Sequence, residues 1–484
     1  DYYASRGLGD VYKRQILYRA KYKTFQKRRA DMHDILLQVE HLITKVSDAI
    51  WPVFLPFILV VGAIMAVRSI VIIQKKATEP AKLNIKNVIG PASISLGAMI
   101  GTGAIIGVLG ALSKLSANGQ ANIEAMAIWA LIGSLIMLPV SYSETLNSKI
   151  MGKTPKEYIG DLINPKLGIL YAVCFVALAV FGFGGFQFSG IDSVAATILN
   201  NKFGIELSLV QRYLFIVIPV ILVVGALVLS KKHELFMGAM TYMIGTAVAG
   251  YFIFFTIFVV KTYDYIPTFF QGMIEGMKNP VNAMMGVPLG FILGMQKVIQ
   301  TAETGLGALA MAAQESDSKP REAAMISLIP TAVTIFVSIV VTSYIASYGV
   351  EVGTLALLNT DGTAADTVTR LGGYFNTAEH VVGIFGLVVL STFTVLSALT
   401  TILGSFYYTT KLFKNNSANK NIAIYLVLII SAGTLAVFGA NVVFEAVDLL
   451  LFVLSGINVS ALAIFTFKHW EVYKLSNKKE KIVA

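Results

Sequence analysis

Apolar stretches of membrane-crossing length recur along this chain, each closed off by a short polar segment. A bilayer core about 30 Å thick takes a helix of about 20 apolar residues. Eleven spans are expected on that ruler: Trp51–Ile73, Val88–Leu112, Ile123–Val140, Leu167–Ile198, Leu209–Leu229, Leu235–Val260, Met285–Ala313, Ala323–Ala346, Val381–Leu412, Ile422–Val443 and Ala446–Phe467. Two of them break the pattern. Span 2 carries Gly97, Gly101, Gly103 and Gly107 within eleven residues. Span 7 carries Gly290, Gly294, Gly305 and Gly307 around a polar centre with Lys297, Thr301 and Glu303. Glycine disfavours a helix by about 1 kcal/mol relative to alanine. Paired broken helices at matching places of a repeat mark the binding site of secondary transporters. The breaks are five spans apart, an odd number, so a repeat of spans 2–6 (residues 88–262) by spans 7–11 (residues 285–467) must be inverted. The fold class expected is an all-α polytopic membrane protein, with about 11 transmembrane helices in a 5+5 inverted repeat and span 1 as an extra helix.

Composition agrees with that class. Hydrophobic residues make up 56% and charged residues 14% of the 484, with mean hydropathy +0.71; soluble domains carry about 25% charge. The single cysteine, Cys174, leaves no disulfide or thiolate metal site. Net charge is +10, and residues 1–31 hold nine Lys/Arg against three Asp/Glu. That segment lacks the apolar run of a signal peptide. It reads as a non-native or disordered extension, with Met32 as the natural start, residues 32–50 as a short amphipathic lead-in, residues 51–470 as one transporter domain and residues 471–484 as a basic tail. Leaving out residues 1–50 and Lys297, the loops after odd-numbered spans and the tail hold 21 Lys/Arg, and the other loops hold 6, with residues at span ends counted to the adjoining loop. Cytoplasmic loops collect Lys and Arg. The N-terminus is therefore expected outside and the C-terminus in the cytoplasm, in the cell's inner membrane.

Each motif has a plainer use beside its functional one. Gly101-Thr102-Gly103 either unwinds the helix, offering backbone N–H to a carboxylate and C=O to a cation, or permits close helix packing through Gly97/Gly101 and Gly103/Gly107. Glu303 lies well inside a span, where charge is functional by default; otherwise it pairs with Lys297. Ser397, Thr400 and Thr401 share one helix face and either cage a small cation or bond back to their own helix. Gln187 and Ser189 interrupt the aromatic, glycine-rich middle of span 4. Glu144, Asp192 and Glu445 lie near expected span ends, where the interface solvates them. Met151-Gly152-Lys153-Thr154 lacks the first glycine of a phosphate-binding loop, which argues against an ATP-driven pump, and His233-Glu234 lacks the second histidine of a zinc-protease helix.

Three segments in order, Leu96-Gly-Ala-Met-Ile-Gly-Thr-Gly-Ala-Ile-Ile-Gly107, Thr301-Ala-Glu-Thr-Gly-Leu-Gly307 and Leu399-Thr-Thr-Ile-Leu-Gly404 followed by Tyr407-Tyr408, resemble the signatures of the alanine or glycine:cation symporter family. The resemblance runs from about Ser47 to Phe467. It implies symport of a small neutral amino acid with sodium, sometimes with a proton. It implies substrate contacts at Gly101, Thr102, Gly103, Thr301, Glu303 and Gly305, with Ile402 walling the side-chain pocket; Gln187 is a further candidate. It implies sodium between carbonyls of Gly97 and Ile100 and the oxygens of Ser397, Thr400 and Thr401. The chain differs from the family's usual pattern at Ala104 and Ala302, each in place of Asn, and at Ser405 in place of Trp. Sodium is then the coupling ion, the bilayer and the amino acid are the partners, and neither enzymatic activity, a cofactor nor nucleic acid is expected. The alternatives are a proton-coupled carrier of another small zwitterion, with Glu303 as proton site, and a non-transporting membrane sensor.

Overall fold

The expected spans fold as helices. The structure, a computed structural model, describes residue 38 and residues 42–69, 85–283, 286–315, 317–413, 416–438 and 440–468. The expected extension 1–31 and the tail 471–484 lie outside the described residues, as do residues 32–37 of the lead-in. From Leu42 onward the lead-in is not separate but forms the start of α1 (Leu42–Ser69).

The remaining helices are α2 (Ile85–Met99), α3 (Ile106–Ala117), α4 (Ala125–Met151), α5 (Pro155–Leu162), α6 (Pro165–Val176), α7 (Gly185–Phe203), α8 (Leu209–Arg212), α9 (Ile218–Leu229), α10 (His233–Lys261), α11 (Ile266–Lys278), α12 (Leu289–Ala302), α13 (Ala308–Ala313), α14 (Pro320–Ile335), α15 (Thr342–Glu351), α16 (Thr367–Val382), α17 (Ile384–Leu412), α18 (Ala418–Phe438) and α19 (Ala440–Lys468). Among the described residues, 9 helical segments can cross a membrane by length and composition, and the pair α2–α3, bent by 63°, makes a tenth. The remaining expected span is α12 and α13, of 14 and 6 residues, each too short to cross alone. The described residues form no strand, only two isolated bridges.

Exposed apolar side chains turn to lipid. On α1, Val53, Phe57, Val60, Ile64 and Val67 stand out at intervals of three and four residues, one stripe of a helix. Inside, glycines set the helix spacing. A Cβ on Gly404 of α17 would lie 2.7 Å from the Cβ and 3.0 Å from the Cα of Ala98 on α2, so these two helices touch nearly backbone to backbone, as small residues permit in membranes.

Two boundaries differ from expectation for physical reasons. α4 does not stop at Val140. Its polar end stays helical because Ser141 and Ser143 bond back to the carbonyls of Met137 (3.3 Å) and Pro139 (3.0 Å), and because the segment is buried by neighbouring helices. It ends at Gly152, with φ +64°, and Thr154 then starts α5 through a capping box with Glu157. The apparent phosphate-loop remnant is thus a helix stop and a helix start. Span 4 runs unbroken from Pro165 to Asn200, and its glycine-rich middle, Ala177–Gly184, is a π-helical stretch, a wide turn frequent at functional sites.

Candidate functional site

The α2–α3 break sits at residues 100–105. Gly101 is extended (φ −118°, ψ −167°), and Thr102–Ala104 form a single tight turn. The interrupted ladder leaves backbone groups for other elements. Thr102 N–H donates to Gln187 Oε1 at 2.7 Å, and Gln187 Nε2 donates to Phe183 O at 3.1 Å. One buried amide thereby joins the break in span 2 to the π-helical segment of span 4. The Ala104 carbonyl accepts from Thr342 Oγ1 at 2.9 Å, so α15 supplies a polar partner at the position without an amide of its own.

Across from the break stands the hydroxyl face of α17. Thr401 Oγ1 lies 3.2 Å from Gly97 O, 3.4 Å from Ile100 O and 3.0 Å from Ser397 O. Thr400 Oγ1 bonds to Ser397 O at 2.9 Å, and Ser397 Oγ to Thr394 O at 3.2 Å. Thr400 also packs on Gly97, whose added Cβ would lie 3.2 Å from Thr400 Cβ. The structure therefore gathers Gly97, Ile100, Ser397, Thr400 and Thr401 at one place between α2 and α17.

The second break, Glu303–Gly307, turns through three left-handed residues: Glu303 (φ +48°), Gly305 (φ +77°) and Gly307 (φ +98°). Glycine takes this conformation freely; a glutamate there is unusual. Glu303 is buried and accepts from Tyr408 OH at 3.1 Å. It does not pair with Lys297, whose ammonium donates to Gln300 Oε1 at 2.7 Å and lies 4.0 Å from Asp448. Thr301 Oγ1 bonds to Lys297 O (2.7 Å) and meets Ser338 Oγ (3.2 Å).

A narrow cavity of about 20 Å³ joins the two breaks, lined by residues that include Gly101, Gly103, Phe186, Gln187, Gln300, Thr301, Glu303 and Thr401. That is room for about one water, so an amino acid enters only when the side chains around the breaks move apart. Ile402 is buried but does not line this cavity. Its carbonyl instead accepts from Tyr425 OH and Ser405 Oγ, each at 2.6 Å, so the small Ser405 leaves room for Tyr425. Gly305 and Thr102 flank the cavity without lining it; the Thr102 side chain packs on Gly190.

Some functional candidates escaped the sequence reading. Glu144 is not at an interface: it is fully buried where α4 meets the second break, accepting from Ala310 N–H (3.4 Å) and Asn458 Nδ2 (3.5 Å), and Asn458 also donates to Gly305 O at 2.8 Å. Ser141, Glu144 and Ser148 share one helix face, which is the signal that could have found it. Asp192 pairs with Arg212 at 3.1 Å. The Glu445 side chain lies outside the described residues. Just past the end of α13, Glu315 ties three elements together, reaching Lys411 (2.9 Å), His233 (3.1 Å) and Tyr407 OH (2.8 Å). Burial pushes its carboxyl up, but the bonds from Lys411 and Tyr407 and the nearby positive charges outweigh this and hold it below the ordinary value.

A closed helical bundle with two broken spans meeting at one cavity defines a membrane transporter of the broken-helix kind. The sodium:alanine symporter family model matches residues 36–482, and the chain belongs to that family. It is thus a multi-pass membrane protein of a sodium-coupled symporter family. Solved structures share the fold. One is a Na+-coupled sialic acid symporter, substrate-bound and outward-open, at 12% identity over 88% of this chain and 86% of that one, with a TM-score of 0.52. Another is MhsT in complex with L-phenylalanine, at 16% identity over 83% and 94%, with a TM-score of 0.50. No curated protein matches the chain.

Proposed function

We propose that the protein takes up a small neutral amino acid, of alanine or glycine size, with sodium. The observation that carries this reading is Thr401 Oγ1 set against the carbonyls of Gly97 and Ile100. Freed carbonyls at a broken helix coordinate sodium in transporters of this kind, and the Thr401 hydroxyl adds a further oxygen. Ser397 and Thr400 complete the cage when their hydroxyls turn from their own helix. The ion then ties α2 to α17 and fixes the break. The substrate carboxylate takes the backbone N–H groups at Gly101–Gly103, where Thr102 N–H already holds an amide oxygen. The ammonium faces Thr301 and Glu303, and Gln187 closes over the pocket. Residues 88–262 and 285–467 act as two inverted units, with the N-terminus outside and the C-terminus inside. Release inward requires the Glu315 tie to Lys411, His233 and Tyr407 to open.

One observation favours proton coupling as a second reading: Glu303 borders the cavity, and among the described residues its carboxyl accepts from Tyr408 OH and faces no cation. Thermal unfolding of the purified protein separates the two. Sodium and L-alanine or glycine together are expected to raise Tm at constant pH, because a ligand at about 100 times its Kd stabilises the state it binds by roughly 2.7 kcal/mol. Stabilisation by the amino acid that is indifferent to sodium but varies with pH selects the proton reading.

A further inference from the structure

A cavity of about 390 Å³ lies between the α9–α10 turn and the connection from α17 to α18, at the ends of the spans that the charge count makes cytoplasmic. A turn of only three residues, 230–232, joins α9 to α10, and Lys231 within it is left-handed (φ +53°). The turn sets Lys231 and Lys232 at the helix ends, where they line the cavity with His233, Lys411 and Glu315. Glu315 is the only acid lining it among the described residues, and it is already shared by Lys411 at 2.9 Å and His233 at 3.1 Å. Lys231 and Lys232 have no salt bridge among the described residues. The cavity therefore holds three lysines against one carboxylate. Its other wall is apolar: Phe236 and Phe406 meet edge to face with ring centres 5.8 Å apart, and Ile422 lies beside them. Next to the turn, Leu229 and Leu235 are exposed.

A free anion in water needs the cations but not the apolar wall. An anion tethered to hydrocarbon needs both, and the exposed leucines beside the cavity face the lipid from which it would come. Basic pockets between spans on the cytoplasmic side suit anionic headgroups. We infer that this cavity is a site for the phosphate of an anionic phospholipid, with the phosphodiester on Lys231 and Lys232 and the glycerol end of the acyl chains against Phe236 and Phe406. The phosphate competes with Glu315 for Lys411 and for protonated His233, so a bound lipid weakens that tie. Where inward release waits on the tie, as in the reading above, the lipid favours release. The site itself does not depend on which substrate the central cavity takes.

Native mass spectrometry of the full chain, titrated with phosphatidylglycerol and with phosphatidylcholine, tests this. The wild type is expected to take up one phosphatidylglycerol in preference to phosphatidylcholine. Lys231→Gln with Lys232→Gln is expected to weaken that binding roughly thirtyfold, the worth of two lysines near anionic lipid. Lys166→Gln with Lys468→Gln removes the same charge from exposed positions elsewhere and is expected to leave the binding nearly unchanged. Glu315→Gln, which frees Lys411 and His233, is expected to tighten it. Because Lys231 and Lys232 are exposed, their replacement does not endanger the fold. Equal losses in the two double variants mean diffuse attraction and overturn the site, as does equal binding of phosphatidylcholine. Displacement of phosphatidylglycerol by inorganic phosphate means a water-borne anion and overturns the lipid. Binding that Glu315→Gln fails to tighten overturns the competition for Lys411 and His233.

Discussion

Gly101→Val is expected to abolish amino-acid uptake while leaving a protein that still inserts and runs as a single species. A Cβ at this position would stand 2.6 Å from Gln187 Nε2, 2.7 Å from Gln187 Oε1 and 2.8 Å from Thr401 Oγ1. The added atoms therefore occupy the space where both proposed ligands meet the helix break. The clashing atoms are side-chain ends, which can swing aside, so the fold is disturbed less than overpacking of a rigid core, which costs about 1–3 kcal/mol. Gly404 would be a poor choice for the same experiment, because its neighbour is the backbone of Ala98. Uptake into vesicles, beside size-exclusion chromatography of the same preparation, checks the prediction. Uptake at even a tenth of wild type would mean that the substrate passes elsewhere.

The second large effect is at Thr401. Thr401→Val keeps the shape of the side chain and removes the one hydroxyl that faces Gly97 O and Ile100 O. A hydrogen-bonding group on a charged partner contributes about 1.5–3 kcal/mol, so the sodium concentration for half-maximal uptake is expected to rise by roughly tenfold to a hundredfold. Thr400→Val is expected to do less, because its hydroxyl bonds within α17, to Ser397 O. Sodium titration of uptake at saturating amino acid reads both. An unchanged sodium dependence in Thr401→Val places the ion elsewhere.

Much of the fold was legible because a bilayer leaves few choices: each apolar run of sufficient length had to become a helix, since backbone groups find no partner in lipid. The breaks were legible for the opposite reason, since Gly101-Thr102-Gly103 and Gly305-Leu306-Gly307 cannot sit quietly in such a helix. What the sequence concealed depends on which helix faces meet. Glu144 looked interfacial because hydropathy falls after Val140, yet α4 continues and its polar face is covered by α13, α14 and α19. A Lys297–Glu303 pair was the plainer alternative for a charge inside span 7, but Lys297 lies within α12 and Glu303 at the break, and they take Gln300 and Tyr408 instead. Ile402 shares a motif with Thr400 and Thr401, but its helix phase turns it from the cavity.

The central claim is that a sodium gradient drives a small neutral amino acid through the cavity between the two breaks. Purified protein in liposomes, with sodium outside and none inside, is expected to accumulate radiolabelled alanine or glycine above the outside concentration, and to stop when sodium is equal on both sides or replaced by choline. Accumulation that persists without the sodium gradient, or that follows a proton gradient instead, contradicts it.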